Sequence, residues 1–254
     1  MPTIELPSGL KGQIRHLTIK DGRWLTNKQL QRKGKMIDRI LEECWQHTDD
    51  PGLYGEAANG KVDWSKILIG DRDYALIAIR HESWGTYELK LTCGVCDHRF
   101  VWDLDLDEML REQGRPLSDA SKHTFKNGNR FTTKIKLDTE REVTFKLATG
   151  ADSARAFNER RKQRQRRRNR DDEPNQFVDA VKVRLVEVSG IDSDQMDEWL
   201  ESLPMHCLLA FIRAFDEQDC GVDTTVEYEC PQCDARDEID LPFDQGFFFP
   251  KLRR

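Results

Sequence analysis

Residues 88–107 read ELKLTCGVCDHRFVWDLDLD, and the stretch decides how the rest of the chain is read. Glu88 to Thr92 alternates apolar with polar, as a half-buried strand does, and Phe100 to Leu106 alternates again. Between them Cys93 and Cys96 occupy a two-residue-spaced turn. Residues 225–244, TVEYECPQCDARDEIDLPFD, repeat the pattern without a gap. Cys93 aligns with Cys230, Cys96 with Cys233, Asp97 with Asp234, Arg99 with Arg236, Asp103 with Asp240, Leu104 with Leu241 and Asp107 with Asp244. An apolar helical stretch precedes each copy, YALIAIR before the first and LLAFIRAF before the second.

One such turn supplies two thiolates, whereas a structural zinc ion takes four ligands in a tetrahedron. Two hairpins related by a local two-fold axis would complete the set, so the candidate ligands of one zinc are Cys93, Cys96, Cys230 and Cys233. Ribbons built from one module separate their pairs by about 15–20 residues; here the separation is several-fold longer, so the ion would act as a clasp between two halves. Reduced cysteines without metal, or a thiol–disulfide pair in either turn, are the other readings. Redox turns of this spacing usually open a helix, where the dipole lowers the thiol pKa, and these stand between strands. His98 is near enough to compete as a ligand, but Ala235 occupies its place in the second copy. Cys44 and Cys207 fall on apolar helical faces and read as core; Cys220 precedes Gly221 in a loop and has no assigned role.

Outward from the hairpins, Ile4, Leu6, Ile14, Leu17 and Ile19 alternate as strands about a Pro-Ser-Gly turn. Thr26 or Asn27 is placed to cap a helix whose face is Ile37, Ile40, Leu41, Cys44 and Trp45, running to Asp49-Asp-Pro-Gly52. A second helix is expected from Asp71, as N-cap, to Arg80. Residues 131–147 read as a hairpin, and a helix starts at Thr149-Gly-Ala-Asp152. Beyond it, Phe177, Val181, Leu185 and Val188 share a helical face, and Asp192 or Ser193 is expected to cap Met196–Leu203. Pro204 opens another helix with Leu208, Leu209, Ile212 and Phe215 inward. The fold class expected is α+β: duplicated helix–strand–turn–strand modules forming a split zinc ribbon, with added β-hairpins and helices. The expected organisation is an N-terminal half over 1–155, an Arg-rich linker or helix over 156–176, and a C-terminal helical half over 177–254.

The sharpest compositional feature is the basic run Arg160, Arg161, Lys162, Arg164, Arg166, Arg167, Arg168 and Arg170. It reads as a docking strip for an acidic protein face, a phosphate-binding arm, or a solvated self-repelling linker. No aromatic residues interleave with it, which argues against single-strand nucleic-acid binding. Phe247, Phe248 and Phe249 stand in an aromatic tail and bury in the chain or meet a partner. Asp103, Asp105 and Asp107 share one face of an alternating strand and read as solvated; the stretch lacks the glycine and spacing of a calcium loop.

Of the 254 residues, 37% are hydrophobic and 34% charged, and the net charge of -6 gives no global pull toward nucleic acid or anionic membrane. No apolar run approaches the roughly 20 residues of a membrane span, and the start, MPTIELPSGLKGQ, lacks the basic-then-apolar pattern of a secretion signal. These features predict a soluble chain made in a reducing cytoplasm, where seven cysteines point to metal or free thiols. Enzyme signatures are missing: there is no phosphate-cradling glycine loop, no G-x-S-x-G elbow and no H-E-x-x-H.

Several segments carry a resemblance: Lys66-Ile-Leu-Ile-Gly-Asp-Arg-Asp-Tyr-Ala-Leu76, Tyr87 through Cys96, Glu142-Val-Thr-Phe-Lys-Leu-Ala-Thr-Gly150, Cys230-Pro-Gln-Cys233, and the Phe-Phe-Phe-Pro ending. Together they resemble the baseplate hub assembly proteins of T-even-like contractile-tailed phages, over roughly residues 30–160 and 205–250. The resemblance implies a non-enzymatic structural or assembly protein of the virion tail baseplate. It would be assembled in the host bacterial cytoplasm, in several copies beside other baseplate and tail proteins. The basic run matches nothing in that family. A nucleic-acid-binding zinc-ribbon regulator using that run is the alternative reading.

Overall fold

A computed structural model of the chain describes residues 1–55, 59–137, 139–166, 175–241 and 245–248. In chain order, β1 (Thr3–Glu5) and β2 (Lys11–Ile14) lead to α1 (Gly22–Leu25), α2 (Lys28–Arg32), α3 (Met36–Cys44) and β3 (Trp45–Asp50). Then come α4 (Ile69–Trp84), β4 (Tyr87–Thr92), β5 (Arg99–Leu104), α5 (Leu106–Gln113), β6 (Gly114–Arg115), α6 (Asp119–Lys126), β7 (Phe131–Lys136), β8 (Glu140–Phe145) and α7 (Gly150–Arg166). The rest is α8 (Gln176–Lys182), β9 (Leu185–Val188), α9 (Met196–Ser202), α10 (Met205–Asp216), β10 (Gly221–Val222), β11 (Thr225–Glu229), β12 (Arg236–Asp240) and α11 (Gln245–Phe248). All strand pairs are antiparallel: β1-β2-β3, β7-β8-β9, and the two-stranded β4-β5, β11-β12 and β6-β10. The mixed α and β content is as expected. No helix among the described residues is long and apolar enough to cross a membrane.

Apolar side chains bury into two clusters. The first takes Leu6, Leu10, Ile40, Trp45, Leu76 and Ile79 from the N-terminal elements and also Val226, Tyr228, Leu241, Phe247 and Phe248 from the chain's end. The second is built on β7, β8, α8 and α10, with Phe131, Val143, Phe145, Phe211 and Phe215 inside. The second cysteine hairpin thus packs with the N-terminal elements, through Val226, Tyr228 and Leu241.

Several local expectations give way to tertiary contacts. Asn27 does cap α2, accepting from the Gln29 and Leu30 amides, but Gly34 at φ 65° breaks the helix before α3. Trp45 leaves the helical face to open β3, fully buried and paired with Ile14. Ile19 is fully exposed in a short 3-10 turn. Asp71 is no cap. It sits inside α4, which begins two residues earlier, and is completely buried. There it accepts 2.9 Å from the Ser8 amide, 2.6 Å from the Tyr54 hydroxyl, and also from the Ser8 hydroxyl. These bonds tie the first sheet to α4. Burial pushes the Asp71 carboxyl above its ordinary pKa, against those donors.

Asp105 is not on a strand face. Its side chain accepts from the Asp107 and Glu108 amides as the N-cap of α5. Leu185 and Val188 are in β9, paired with Phe145 and Val143, because the edge of β8 offers a ladder that a lone helical turn lacks. Gln195, rather than Asp192 or Ser193, precedes α9. On α10 the buried face is Cys207, Phe211 and Phe215; Leu209 and Ile212 are exposed.

Candidate metal centre

Each cysteine pair sits at the end of a regular two-stranded ladder. β4 pairs β5 from Tyr87↔Leu104 to Thr92↔Arg99, and β11 pairs β12 from Thr225↔Asp240 to Glu229↔Arg236. The ladders close the same way. The Cys93 amide donates to the His98 carbonyl at 2.9 Å, and the Cys230 amide to Ala235 at 2.8 Å. The Asp97 amide donates back to the Cys93 carbonyl at 3.1 Å, and Asp234 to Cys230 at 2.9 Å. Asp97 and Asp234 both turn left-handed, at φ 57° and 56°, a conformation Asp tolerates better than most residues. The two turns thus have one backbone geometry. The helices before them do not share one setting: α4 packs in the first cluster and α10 in the second. The likeness between the copies is therefore confined to the hairpins.

The hairpins meet through rings and thiols. Phe100 of β5 and Tyr228 of β11 lie with centroids 6.0 Å apart. Cys93 Sγ is 3.6 Å from Cys233 Sγ, and Cys96 Sγ is 3.7 Å from Cys230 Sγ. The four sulfurs all lie within 4.8 Å of one another. Sulfurs at the corners of a zinc tetrahedron with Zn–S near 2.3 Å stand about 3.8 Å apart. A disulfide needs about 2.05 Å. The spacing fits a shared ion and no bonded pair. The short contacts run between hairpins, so neither turn closes on itself.

The thiols are not shifted alike: Cys96 is raised, the His98 amide being outweighed by burial and the neighbouring thiols, and Cys233 is pushed up to about 12, the Ala235 amide being outweighed by the neighbouring thiols and burial. Donation from the Cys96 and Val95 amides draws the Cys93 thiol down to about 7 from its ordinary value near 9; the Val95 amide lies 3.4 Å from Cys93 Sγ. A metal ligand has to be deprotonated, which the Cys93 shift favours and the Cys96 and Cys233 shifts oppose. Among the described residues the group comprises the four cysteines alone. His98 stacks instead on Phe100, centroids 6.0 Å apart and nearly parallel. The three remaining cysteines are buried in the cores, and Cys220 lies with its Sγ 4.0 Å from Asp71 Oδ1.

The other residues singled out by sequence are dispersed. Arg160, Arg161 and Lys162 are exposed on α7, with Arg160 Nε 3.3 Å from Asp179. Arg164 and Arg166 fall on the last turns of α7; Arg167, Arg168 and Arg170 lie outside the described residues, as does Phe249. Phe247 and Phe248 are fully buried in the first cluster. Their carbonyls accept from Arg80 Nε at 2.6 Å and Trp84 Nε1 at 3.2 Å. Of the two fates expected for the tail, these two rings take burial within the chain. Phe100 and Tyr228, which join the hairpins, were not singled out. Their inward place in the strand alternation was the available signal.

The model of one protein family, described as T4 bacteriophage base plate protein, matches residues 1–249. No curated protein and no solved structure matches the chain significantly. The match spans nearly the whole chain, and the chain belongs to that family of phage base plate proteins.

Proposed function

From that membership we propose that the chain is a non-enzymatic structural or assembly component of the hub region of a contractile-tail baseplate, stabilised by one zinc ion on Cys93, Cys96, Cys230 and Cys233. In this reading the two hairpins are a duplicated, split zinc ribbon. The observation that carries the zinc is the pair of cross-hairpin thiol contacts at 3.6 and 3.7 Å. Bound there, zinc would supply a closed tetrahedral cross-link and no open coordination position for substrate. The chain's own residues do the rest: Val226, Tyr228 and Leu241 seat the second hairpin on the first core, and the cysteines lock it. A baseplate subunit needs fixed faces for neighbouring tail proteins, and a cross-link between distant parts of the sequence provides stiffness with a modest core.

Zinc per chain, measured by inductively coupled plasma mass spectrometry on the purified protein, tests the clasp. One ion is expected in the wild type, and Cys93→Ser and Cys230→Ser should each lose it. Retention of a full ion by either variant would mean separate sites and no clasp. Quantitative mass spectrometry of finished particles tests the placement. A fixed whole-number ratio to other baseplate proteins is expected of a structural subunit. Absence from particles, with abundance in infected cells, would leave an assembly factor that departs.

A further inference from the structure

Two basic stretches far apart in sequence meet on one face. Lys33 and Lys35 flank Gly34 in the turn between α2 and α3, and Arg161 stands on α7. The turn lies directly against α7: a β-carbon on Gly34 would come within 2.9 Å of the Phe157 ring, and Gly34 holds φ at 65°. Only glycine meets both demands, so the α2–α3 turn is fixed beside the start of the Arg-rich run.

Between them runs a groove of about 580 Å³, floored by Met36, Ile37, Ile69, Ala154 and Phe157 and rimmed by Lys33, Lys35 and Arg161. A second hollow of about 560 Å³ shares Lys33 and Arg161 and adds Gln29 and Arg32. The first volume is in the range that takes up a side chain or small ligand. Within the groove Arg72 is already matched, its Nη2 2.5 Å from Asp38 and its Nη1 donating to the Trp64 carbonyl at 2.6 Å. Asp73 is the other acid in the lining. Arg32, Lys33, Lys35 and Arg161 have no carboxylate partner among the described residues. Phe157 is 39% exposed at the floor, an apolar ring left open beside unpaired cations.

We infer that this groove binds an acidic segment of a neighbouring baseplate protein, which sets an apolar side chain on Phe157 and carboxylates against Lys33, Lys35 and Arg161. Charge complementarity selects an anionic partner, and the apolar floor selects one with an apolar anchor. A nucleic-acid backbone would meet the rim but leave Met36, Ile37 and Phe157 uncovered, and one ring is a poor platform for successive bases. That the partner is a baseplate protein rests on the function proposed above; the groove and its chemistry do not.

Fluorescence anisotropy on the full chain tests this with three labelled probes: a glutamate-rich peptide bearing a central Phe-Leu anchor, the same peptide with Gly-Gly at the anchor, and a single-stranded oligonucleotide of equal charge. The anchored peptide should bind at least about 10-fold more tightly than the other two. Lys33→Glu with Lys35→Glu, and separately Arg161→Glu, should each weaken it about 10-fold, with unchanged circular dichroism. The exposed control Lys126→Glu should leave it unaltered. Phe157→Ala should erase the difference between the two peptides. Equal binding of the peptides, tighter binding of the oligonucleotide, indifference to charge reversal, or no binding of any probe would each overturn the inference. None of these results would touch the baseplate placement, which particle mass spectrometry decides.

Discussion

Replacing Phe247 with alanine should cost about 4 kcal/mol of folding stability. The ring is fully buried. It stands edge-on to Tyr87 at 4.9 Å and to Phe248 at 4.9 Å, with the Arg80 guanidinium 5.8 Å from its centroid. Burying a phenylalanine removes roughly 150–250 Å² from water; at about 25 cal/mol per Å² that is about 4–6 kcal/mol. Measured Phe→Ala changes in cores run about 3–5 kcal/mol, and partial collapse of the site puts the expectation near the middle. Arg80 adds to the cost. It is buried, with no carboxylate partner among the described residues, and burial pulls its pKa down to about 10, so it stays charged at neutral pH. Its Nε bond to the Phe247 carbonyl, a longer Nη2 bond to the Thr86 carbonyl at 3.5 Å, and the aromatic rings of Trp84, Tyr87 and Phe247 solvate that charge. Urea denaturation at fixed excess zinc is the assay. With a slope of about 3 kcal/mol/M, the midpoint should fall by roughly 1.3 M without a change in slope. Leu209→Ala, on an exposed side chain, should stay within about 0.5 kcal/mol. A Phe247→Ala midpoint within about 0.3 M of wild type would refute the reasoning, because a ring that costs so little cannot be holding the C-terminal segment in the first core.

If zinc holds the proposed site, chelation should raise amide hydrogen exchange in β11 and β12 well above that in β7 and β8, since the second hairpin then rests on the packing of Val226, Tyr228, Ile239 and Leu241; equal change in both hairpins would count against a clasp. For Asp21, burial pushes the carboxyl up, but bonds from Arg15 at 2.7 and 3.0 Å and from Thr18 more than offset it and hold the pKa well below the carboxylate range. A folded pKa below the unfolded one gives stability that is fully present above about pH 5 and is lost as pH falls through the folded value. Asp21→Asn should therefore destabilise by about 1.5–3 kcal/mol at pH 7 and by progressively less below pH 4, which melts across that range would show. Gly70→Ala should destabilise by at least about 2 kcal/mol by denaturant titration, because the new β-carbon would lie 1.9 Å from the Cys220 carbonyl oxygen, where α4 meets β10.

The amino-acid sequence by itself determined the two cysteine hairpins and the β7–β8 hairpin. Each rests on alternation and turn residues a few positions apart, and each Cys-x-x-Cys turn is specified by local spacing alone. The caps of α2 and α5 are equally local: Asn27 is one of the two cap candidates the sequence offers there, with Thr26, whereas the alternation from Phe100 to Leu106 runs past the end of β5 and masks Asp105. Tertiary structure decided the rest. Trp45 and Leu185 left their helical periodicity because distant strands offered hydrogen-bonded ladders. Asp71 looked like a cap and became a buried hub because Ser8, 63 positions away, came back to bond it. The basic run is separate from Lys33 and Lys35 in the sequence, and only the packing of Gly34 on Phe157 brings them to one groove. Which core receives the second hairpin, and which thiols face one another, depends on burial between segments more than a hundred residues apart. Local periodicity records which face of an element is apolar and carries no label for the partner that will cover it.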